Sequence, residues 1–315
     1  MNAKNPDNAG VLNMLRHSNN LQFPTGVSKP PPLNICFYKF HNMTNIESKW
    51  SVNKNFLISC MSWRSLISTL LLLIPFMSIS QMKDTTINGV AISYRYSISI
   101  FPNEWQAPPI SAQGEAMQKS EIARSGKVMA ISLAKYPKDV LSRNLYSIYF
   151  LSLMKFFDVS YGGTNSNTSV YLVNNGKALG YSDKYLEQTF HHEFSSILMR
   201  NFQSNFDTTA WKKVNEPGFN YNDPENGVGA IRNNLSSQEL DSVLCKKGIP
   251  TQYASSSIEN DLNTLAQNLF SPDLDFWNYV DRFPRLKQKV QMLINFYSKI
   301  DSKFDEAFFR SMKSL

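Results

Sequence analysis

Apolar and polar positions predict a mixed helix-and-strand fold between residue 81 and the end of the chain. Loose alternation over residues 87–100 predicts one strand, and a short apolar run over 168–173 predicts a second. Helices are predicted where apolar residues recur at helical spacing. These predicted helices span residues 120–134, 139–157, 182–202 (capped by Ser182), 236–245, 258–270 (capped by Ser257), 273–280 and 284–314. A polar region over 201–234 predicts loop. The fold class expected is α+β, mostly helical with a small sheet.

The segment from Met61 to Gln81 has the three parts of a secretory signal. Arg64 gives a positive start, Leu66 to Met77 is apolar, and small residues precede Gln81. A short membrane anchor is the alternative interpretation. Residues 1–60 are then either a disordered extension or the result of a start codon assigned too early, and 61–80 is the signal peptide. The protein is expected to be exported, to the periplasm, the outer membrane surface or the medium.

Charge and cysteine content agree with this division of the chain. The net charge is +7, but residues 81–315 hold 25 Lys and Arg against 23 Asp and Glu, which leaves +2. The excess of basic residues therefore belongs mainly to the first 80 residues and does not indicate nucleic-acid binding. Cys245 is the one cysteine after residue 80, so no internal disulfide forms there. An exported chain of this kind is more typical of a bacterial envelope than of a eukaryotic secreted domain.

A histidine and a glutamate in the predicted 182–202 helix carry the candidate chemistry. His192 and Glu193 match the first two residues of the H-E-x-x-H pattern, in which two histidines bind Zn²⁺ and the glutamate activates a water. Ser196 stands where the second histidine belongs. His191 points about 100° away on a helix and does not replace it. Glu193 also has a purely structural interpretation, as a buried glutamate bonded to a neighbouring helix.

Four segments resemble the zinc-binding metallopeptidases of Bacteroidetes envelopes, which have a zincin fold. They are Tyr161–Thr164, Val170–Val173, Tyr185–Leu198 and Tyr253–Leu262. The resemblance extends over about residues 130–300 and implies a zincin-like domain over 81–315, with the sheet beside the H-E-x-x-H helix. It implies that His192 is a metal ligand and Glu193 the general base, with Glu259 and Asp261 as candidates for a third ligand. Glu259 equally suits the first turn of any helix.

The missing histidine decides what the resemblance implies about activity. A serine hydroxyl is a poor zinc ligand, so we expect weak zinc binding and weakened or lost hydrolysis of peptide or protein substrates. Ser196→His is expected to restore two imidazoles on one helical turn. The alternative is a non-catalytic envelope protein that binds a peptide or glycan as an accessory component of an outer-membrane nutrient import system.

Overall fold

Seven strands form one mixed sheet in the computed structural model, which describes residues 84–223 and 227–315. The predicted extension and signal segment therefore lie outside the described residues. The strands are β1 (Thr85–Ile87), β2 (Val90–Ser93), β3 (Gln113–Ala116), β4 (Ser147–Phe156), β5 (Val159–Ser160), β6 (Gly163–Asn165) and β7 (Ser169–Val173). Their main order is β1-β2-β4-β7-β6, and β3 and β5 also pair with β4. The β2–β4 and β4–β7 pairs are parallel, and the other pairs are antiparallel.

The single strand predicted over 87–100 is wrong. Thr85–Ile87 and Val90–Ser93 form a hairpin that turns at Asn88 and Gly89, whose φ angles are 52° and 87°. Asn-Gly is the sequence that two-residue hairpin turns favour, because both turn residues need positive φ. Beyond β2 the alternation continues, but Ile98–Ile100 is a 3₁₀ turn.

The helix predicted over 139–157 is also wrong in its second half. The helix ends at Asn144, and Ser147–Phe156 is the long central strand β4. Ile148 and Phe150 pack into one apolar cluster, whereas Leu151, Met154 and Phe156 pack into another. Because β4 is largely buried between the two clusters, it reads as a continuous apolar run, which sequence alone does not distinguish from a buried helix.

Eleven helices occur in the described residues, besides short 3₁₀ turns. They are α1 (Asn103–Gln106), α2 (Ile122–Ala134), α3 (Lys138–Asn144), α4 (Asp183–Asn201), α5 (Thr208–Val214), α6 (Val228–Arg232), α7 (Ser242–Lys247), α8 (Ile258–Phe270), α9 (Phe276–Arg282), α10 (Pro284–Ile300) and α11 (Glu306–Arg310). The α+β class is thus confirmed. The predicted helices over 120–134, 182–202 and 258–270 are present within a residue or two of their expected ends.

Local capping explains where the remaining helices depart from expectation. Asp207 caps α5 inside the region predicted as loop, and buried Trp211 holds that helix on the core. Asp241 caps α7, so this helix spans Ser242–Lys247 and not the predicted 236–245, and Gly248, with φ 94°, closes it. The long C-terminal helix stops at Ile300 because Asp301 is extended, and Asp305 caps α11 after it.

Candidate functional site

The helix α4 carries every candidate residue of the H-E-x-x-S segment. Ser182 starts it by accepting a hydrogen bond from the backbone N–H of Tyr185 at 3.0 Å. From Leu186 to Leu198 the helix is buried on nearly all sides, and the side chains of His192, Glu193 and Ser196 are fully buried. Polar groups at such positions require hydrogen-bond partners within the protein. Those partners determine what the site can do.

A polar seam joins α4 to α8, which packs against it in antiparallel orientation. Its four contacts recur every four residues on both helices, so they lie along one face of each. They are Gln188 Nε2 to the Ser271 carbonyl (2.9 Å), His192 Nδ1 to Gln267 Oε1 (2.9 Å), Asn263 Nδ2 to Ser196 Oγ (2.6 Å) and Arg200 Nη1 to Glu259 Oε1 (3.8 Å). The face on which an H-E-x-x-H helix would present its metal ligands is therefore occupied by side-chain contacts.

His192 is held in one tautomer. The amide nitrogen of Gln267 donates to Gln238 Oε1 at 3.1 Å, so its oxygen faces the ring, and we assign the Nδ1 proton to that hydrogen bond. The lone pair then lies on Nε2, which is buried and has no hydrogen-bond partner among the described residues. Burial lowers the pKa of His192 to about 4, although Gln267 opposes the shift. His192 is thus a neutral imidazole with one nitrogen available as a ligand.

The hydroxyl of Ser196, in contrast, is already engaged in two hydrogen bonds. It donates to Glu259 Oε1 at 2.6 Å and accepts from the Asn263 amide, also at 2.6 Å. Glu259, a candidate third ligand from the sequence, is therefore in contact with Ser196, the residue at the position of the missing histidine. The carboxylate is engaged by the serine and by the nearby Arg200.

Glu193 is joined to the sheet. Its carboxylate accepts a hydrogen bond from Asn165 Nδ2 of β6 at 2.7 Å. Asn165 Oδ1 in turn accepts from the guanidinium of Arg200, which also donates to the Ser166 carbonyl at 2.8 Å. Burial lowers the pKa of Arg200, and the charges of Glu259 and Glu193 counteract that effect. The protein thus has its own positive charge, the guanidinium of Arg200, close to the carboxylates of Glu259 and Glu193.

Asp261 lies elsewhere. It is two residues beyond Glu259, about 200° around the helix, and it faces α5 and α10. Its carboxylate forms a fully buried ion pair with Lys289 and accepts from Trp211 Nε1 at 2.9 Å and Tyr221 OH at 2.6 Å. The structure does not bring Asp261 to His192, and its partners explain it as a link between helices.

His191 belongs to a second buried group on another side of α4. Its Nδ1 is 2.8 Å from Tyr136 OH, and its ring stacks on Phe270 at 5.0 Å. Nearby Glu187 binds Lys135 at 2.6 Å. Burial lowers the pKa of His191 to about 4; for Glu187, burial is outweighed by His191 and Lys135, which lower its pKa to about 2. This group ties α2 to α4 and takes no part in the candidate site.

Sequence reasoning missed Asn165, Arg200, Asn263 and Gln267. A signal for three of them was present: polar residues recur at intervals of four from Gln188 to Arg200 and from Glu259 to Gln267. Two such stripes on buried helices predict a polar contact between them. Asn165 had no comparable signal, because it reaches Glu193 from a strand distant in sequence.

The residues do not fit a catalytic zinc centre. Such a centre has three strong protein ligands and one open position. His192 Nε2 suits a metal, but Ser196 is committed to hydrogen bonds and Asp261 to an ion pair. Across residues 84–223 and 227–315, no three His, Cys, Asp or Glu side chains are grouped so that they could hold a metal ion.

No family model and no curated protein matches the chain. Among solved structures, it is similar to that of a "putative zinc-binding metallo-peptidase" from Bacteroides caccae. The two are 16% identical, with a TM-score of 0.38, over 58% of this chain and 74% of the other. Any activity of this chain must therefore be inferred from its own residues.

Proposed function

We propose that this chain is a metallopeptidase-like protein that binds zinc weakly and has lost peptide hydrolysis. The observation that carries the proposal is the double hydrogen bond of Ser196 to Glu259 and Asn263. It joins the position of the second histidine to the candidate third ligand. The result is a helix contact where a zinc enzyme has its metal.

The charge around the site supports the same conclusion. A catalytic zinc ion adds two positive charges beside its carboxylates. Here the guanidinium of Arg200 already lies near Glu259 and, through Asn165, near Glu193. A divalent cation held by His192 and Glu259 would have to compete with Arg200 for that carboxylate. The positive charge is supplied by the chain itself.

Burial gives a third argument. His192, Glu193 and Ser196 are fully buried, and all three residues of β6 are buried as well. A peptide substrate would have to reach Glu193 through this packing before a general base could act on any water. Without hydrolysis, the role that remains for the folded domain is binding, and we include a peptide, protein or glycan partner at the cell envelope in the proposal.

Export is part of the proposal and rests on the signal-like pattern of residues 61–80. N-terminal sequencing of the protein recovered from cells tests it. A start near Gln81 is expected, and a start before Met61 in the exported protein would contradict it.

Metal analysis and zinc titration of the purified full-length protein test the central claim. We expect substoichiometric zinc after purification and weak zinc binding by calorimetry. We also expect no chelator-sensitive hydrolysis of fluorogenic peptide mixtures. His192→Ala should remove the residual weak zinc binding and leave the absence of hydrolysis unchanged. Tight zinc in one-to-one ratio, together with chelator-sensitive hydrolysis that Glu193→Gln removes, would overturn the proposal.

A further inference from the structure

Residues 311–315 form a strap across a buried ion pair that lies outside the candidate site. Lys135 Nζ, just beyond α2, is 2.6 Å from Glu187 Oε1 of α4, and the two side chains are 10% and 0% exposed. The strap gives each charge a backbone partner, and Lys135 Nζ donates to the Lys313 carbonyl at 2.8 Å. The N–H of Leu315 donates to Glu187 Oε2 at 3.0 Å. Buried charges require such partners, because burial removes the water that would otherwise solvate them.

The same ion pair holds the C-terminal end of α8. Lys135 Nζ also donates to the Phe270 carbonyl at 2.7 Å, and Ser271 Oγ donates to Glu187 Oε2 at 2.8 Å. Carbonyls at the end of a helix have no partner within the helix, so they depend on groups of this kind. The Ser271 carbonyl accepts from Gln188 Nε2, which is the first contact of the polar seam. One hydrogen-bonded group therefore joins the strap, α4 and the end of α8.

Few contacts hold the strap in place. Its base is fixed, because the ring of Phe309 is fully buried and lies 5.1 Å from that of Phe270. Further along, the half-buried residue is Met312, and the exposed ones are Ser311, Lys313, Ser314 and Leu315. A groove of about 630 Å³ lies between residues 311–313 and the exposed face of α2. The strap therefore has room to move, and segments with few buried apolar contacts are the ones that open first.

We infer that the strap closes the outer end of the interface between α4 and α8. When residues 313–315 lift, water reaches Glu187 and Lys135, and the attraction between the two charges falls as the local dielectric constant rises. The contact of Lys135 with the end of α8 weakens as a consequence, so this end separates from α4 before the rest of the seam. A partner that binds the lifted strap, or a protease that cuts it, thereby acts on the seam from the surface. This closure is independent of whether His192 binds zinc.

A strap that only adds stability would behave differently. Its loss would lower the free energy of global unfolding, and every segment that opens by global unfolding, such as β4, would respond equally. A strap that closes one interface acts on α4 and α8 alone. Hydrogen exchange separates the two cases, because it reports the opening of each segment of the chain.

Leu315→Pro in the full-length protein removes the N–H that donates to Glu187, and Leu315→Ala is the control because it keeps that N–H. We expect amide exchange in the C-terminal half of α8 and the N-terminal half of α4 to be about tenfold faster in the proline variant. This is the effect of losing one hydrogen bond to a charged group. Exchange in β4 should be the same in both variants. Equal exchange at the end of α8 in the two variants, or an equal acceleration in β4, would overturn the proposal.

Chemical labelling of the two buried histidines locates the opening. His191 Nε2 is 3.9 Å from Glu187 Oε1, whereas His192 is bound to Gln267 further along the seam. Diethyl pyrocarbonate, followed by tandem mass spectrometry, should label His191 several-fold faster in Leu315→Pro than in Leu315→Ala. The rate at His192 should change less. Equal increases at both histidines would show that the interface opens as a whole, and the assignment of the strap to one end would be wrong.

Glu187→Gln shows whether the strap acts through the ion pair. Glutamine removes the negative charge and retains an oxygen acceptor, so Leu315→Pro should accelerate exchange at the end of α8 less than about threefold in that background. An effect of about tenfold in both backgrounds would contradict this route. The comparison of Leu315→Pro with Leu315→Ala decides the proposal by itself if Glu187→Gln does not fold.

Discussion

Ser196 Oγ lies 2.6 Å from Asn263 Nδ2, midway along the interface of α4 and α8. This pair occupies the point at which a second zinc-binding imidazole would stand four residues after His192. A small hydroxyl there allows the two helices to approach closely and to share a hydrogen bond. The position that would complete a metal site now helps to hold the core together.

Removing the hydroxyl should therefore destabilise the protein. Ser196→Ala leaves the Asn263 amide and Glu259 without the serine in a buried seam, and the expected loss is about 1–3 kcal/mol in the free energy of unfolding. Ser142→Ala is the matched control, because Ser142 is exposed on a helix; its effect should stay within about 0.5 kcal/mol. Urea unfolding measures both. Equal effects of the two changes would show that the seam contributes nothing.

The structure also changes the expectation for Ser196→His. An imidazole is larger than the hydroxyl it replaces and would meet Asn263 and Glu259, both within 2.6 Å of Ser196 Oγ. We therefore expect the single variant to be destabilised and to gain little zinc affinity. Ser196→His combined with Asn263→Ala makes room and should bind zinc at least about tenfold more tightly than the wild type.

Calorimetric zinc titration of the wild type, both variants and Asn263→Ala alone decides the matter. Tight zinc binding by the Ser196→His single variant would show that two imidazoles four residues apart suffice to bind zinc. It would also show that the polar seam rearranges at little cost in free energy. A double variant that binds no better than Asn263→Ala would show that Glu259 is unable to leave Arg200.

Stability should fall as the pH drops from about 7 to 5. The pKa values of His191 and His192 are lowered by burial to about 4, from an ordinary value of 6.5. Between these values the unfolded chain binds protons that the folded chain does not, so the free energy of unfolding rises with pH. The slope approaches about 1.4 kcal/mol per pH unit for each histidine.

The variant His192→Asn isolates one of the two contributions. Asparagine keeps a donor for Gln267 but does not titrate, so the slope between pH 6.5 and 5 should fall by about half. Glu187 contributes to the slope near pH 5, where its carboxyl begins to bind protons in the unfolded chain, but it does so equally in the wild type and the variant and therefore cancels in the comparison. An unchanged slope, measured by urea unfolding at several pH values, would mean that folding does not lower the pKa of His192.

Asp261 should behave as a structural residue. Asp261→Ala leaves Lys289 as a buried, uncompensated charge, and the expected loss is about 3–5 kcal/mol of unfolding free energy. The surface pair of Asp281 and Arg310 provides the comparison: Asp281→Ala should change stability by no more than about 1 kcal/mol. Asp261→Leu with Lys289→Met should recover most of the loss. Weaker zinc binding in the double variant would show that Asp261 is a zinc ligand.

The sequence by itself determined the helices that carry the candidate site. Ser182 and Ser257 marked the starts of α4 and α8, because a side-chain oxygen at these positions satisfies free backbone N–H groups within a few residues. Spacing on a helix also placed His192 and Ser196 on one face and predicted that Ser196 breaks the zinc pattern. These are local properties, and the neighbouring residues decide them.

Tertiary structure decided the rest. Ser147–Phe156 became a strand because it is buried between two apolar clusters, which outweighs its helix-like run of apolar residues. Only the antiparallel packing of α4 on α8 brought Ser196 to Asn263, and only the place of β6 beside α4 brought Asn165 to Glu193. Glu259 and Asp261 looked equivalent in the chain, but about 200° of helical rotation sends one to Ser196 and the other to Lys289. Which polar groups meet depends on residues far apart in sequence, and spacing along one helix carries no information about them.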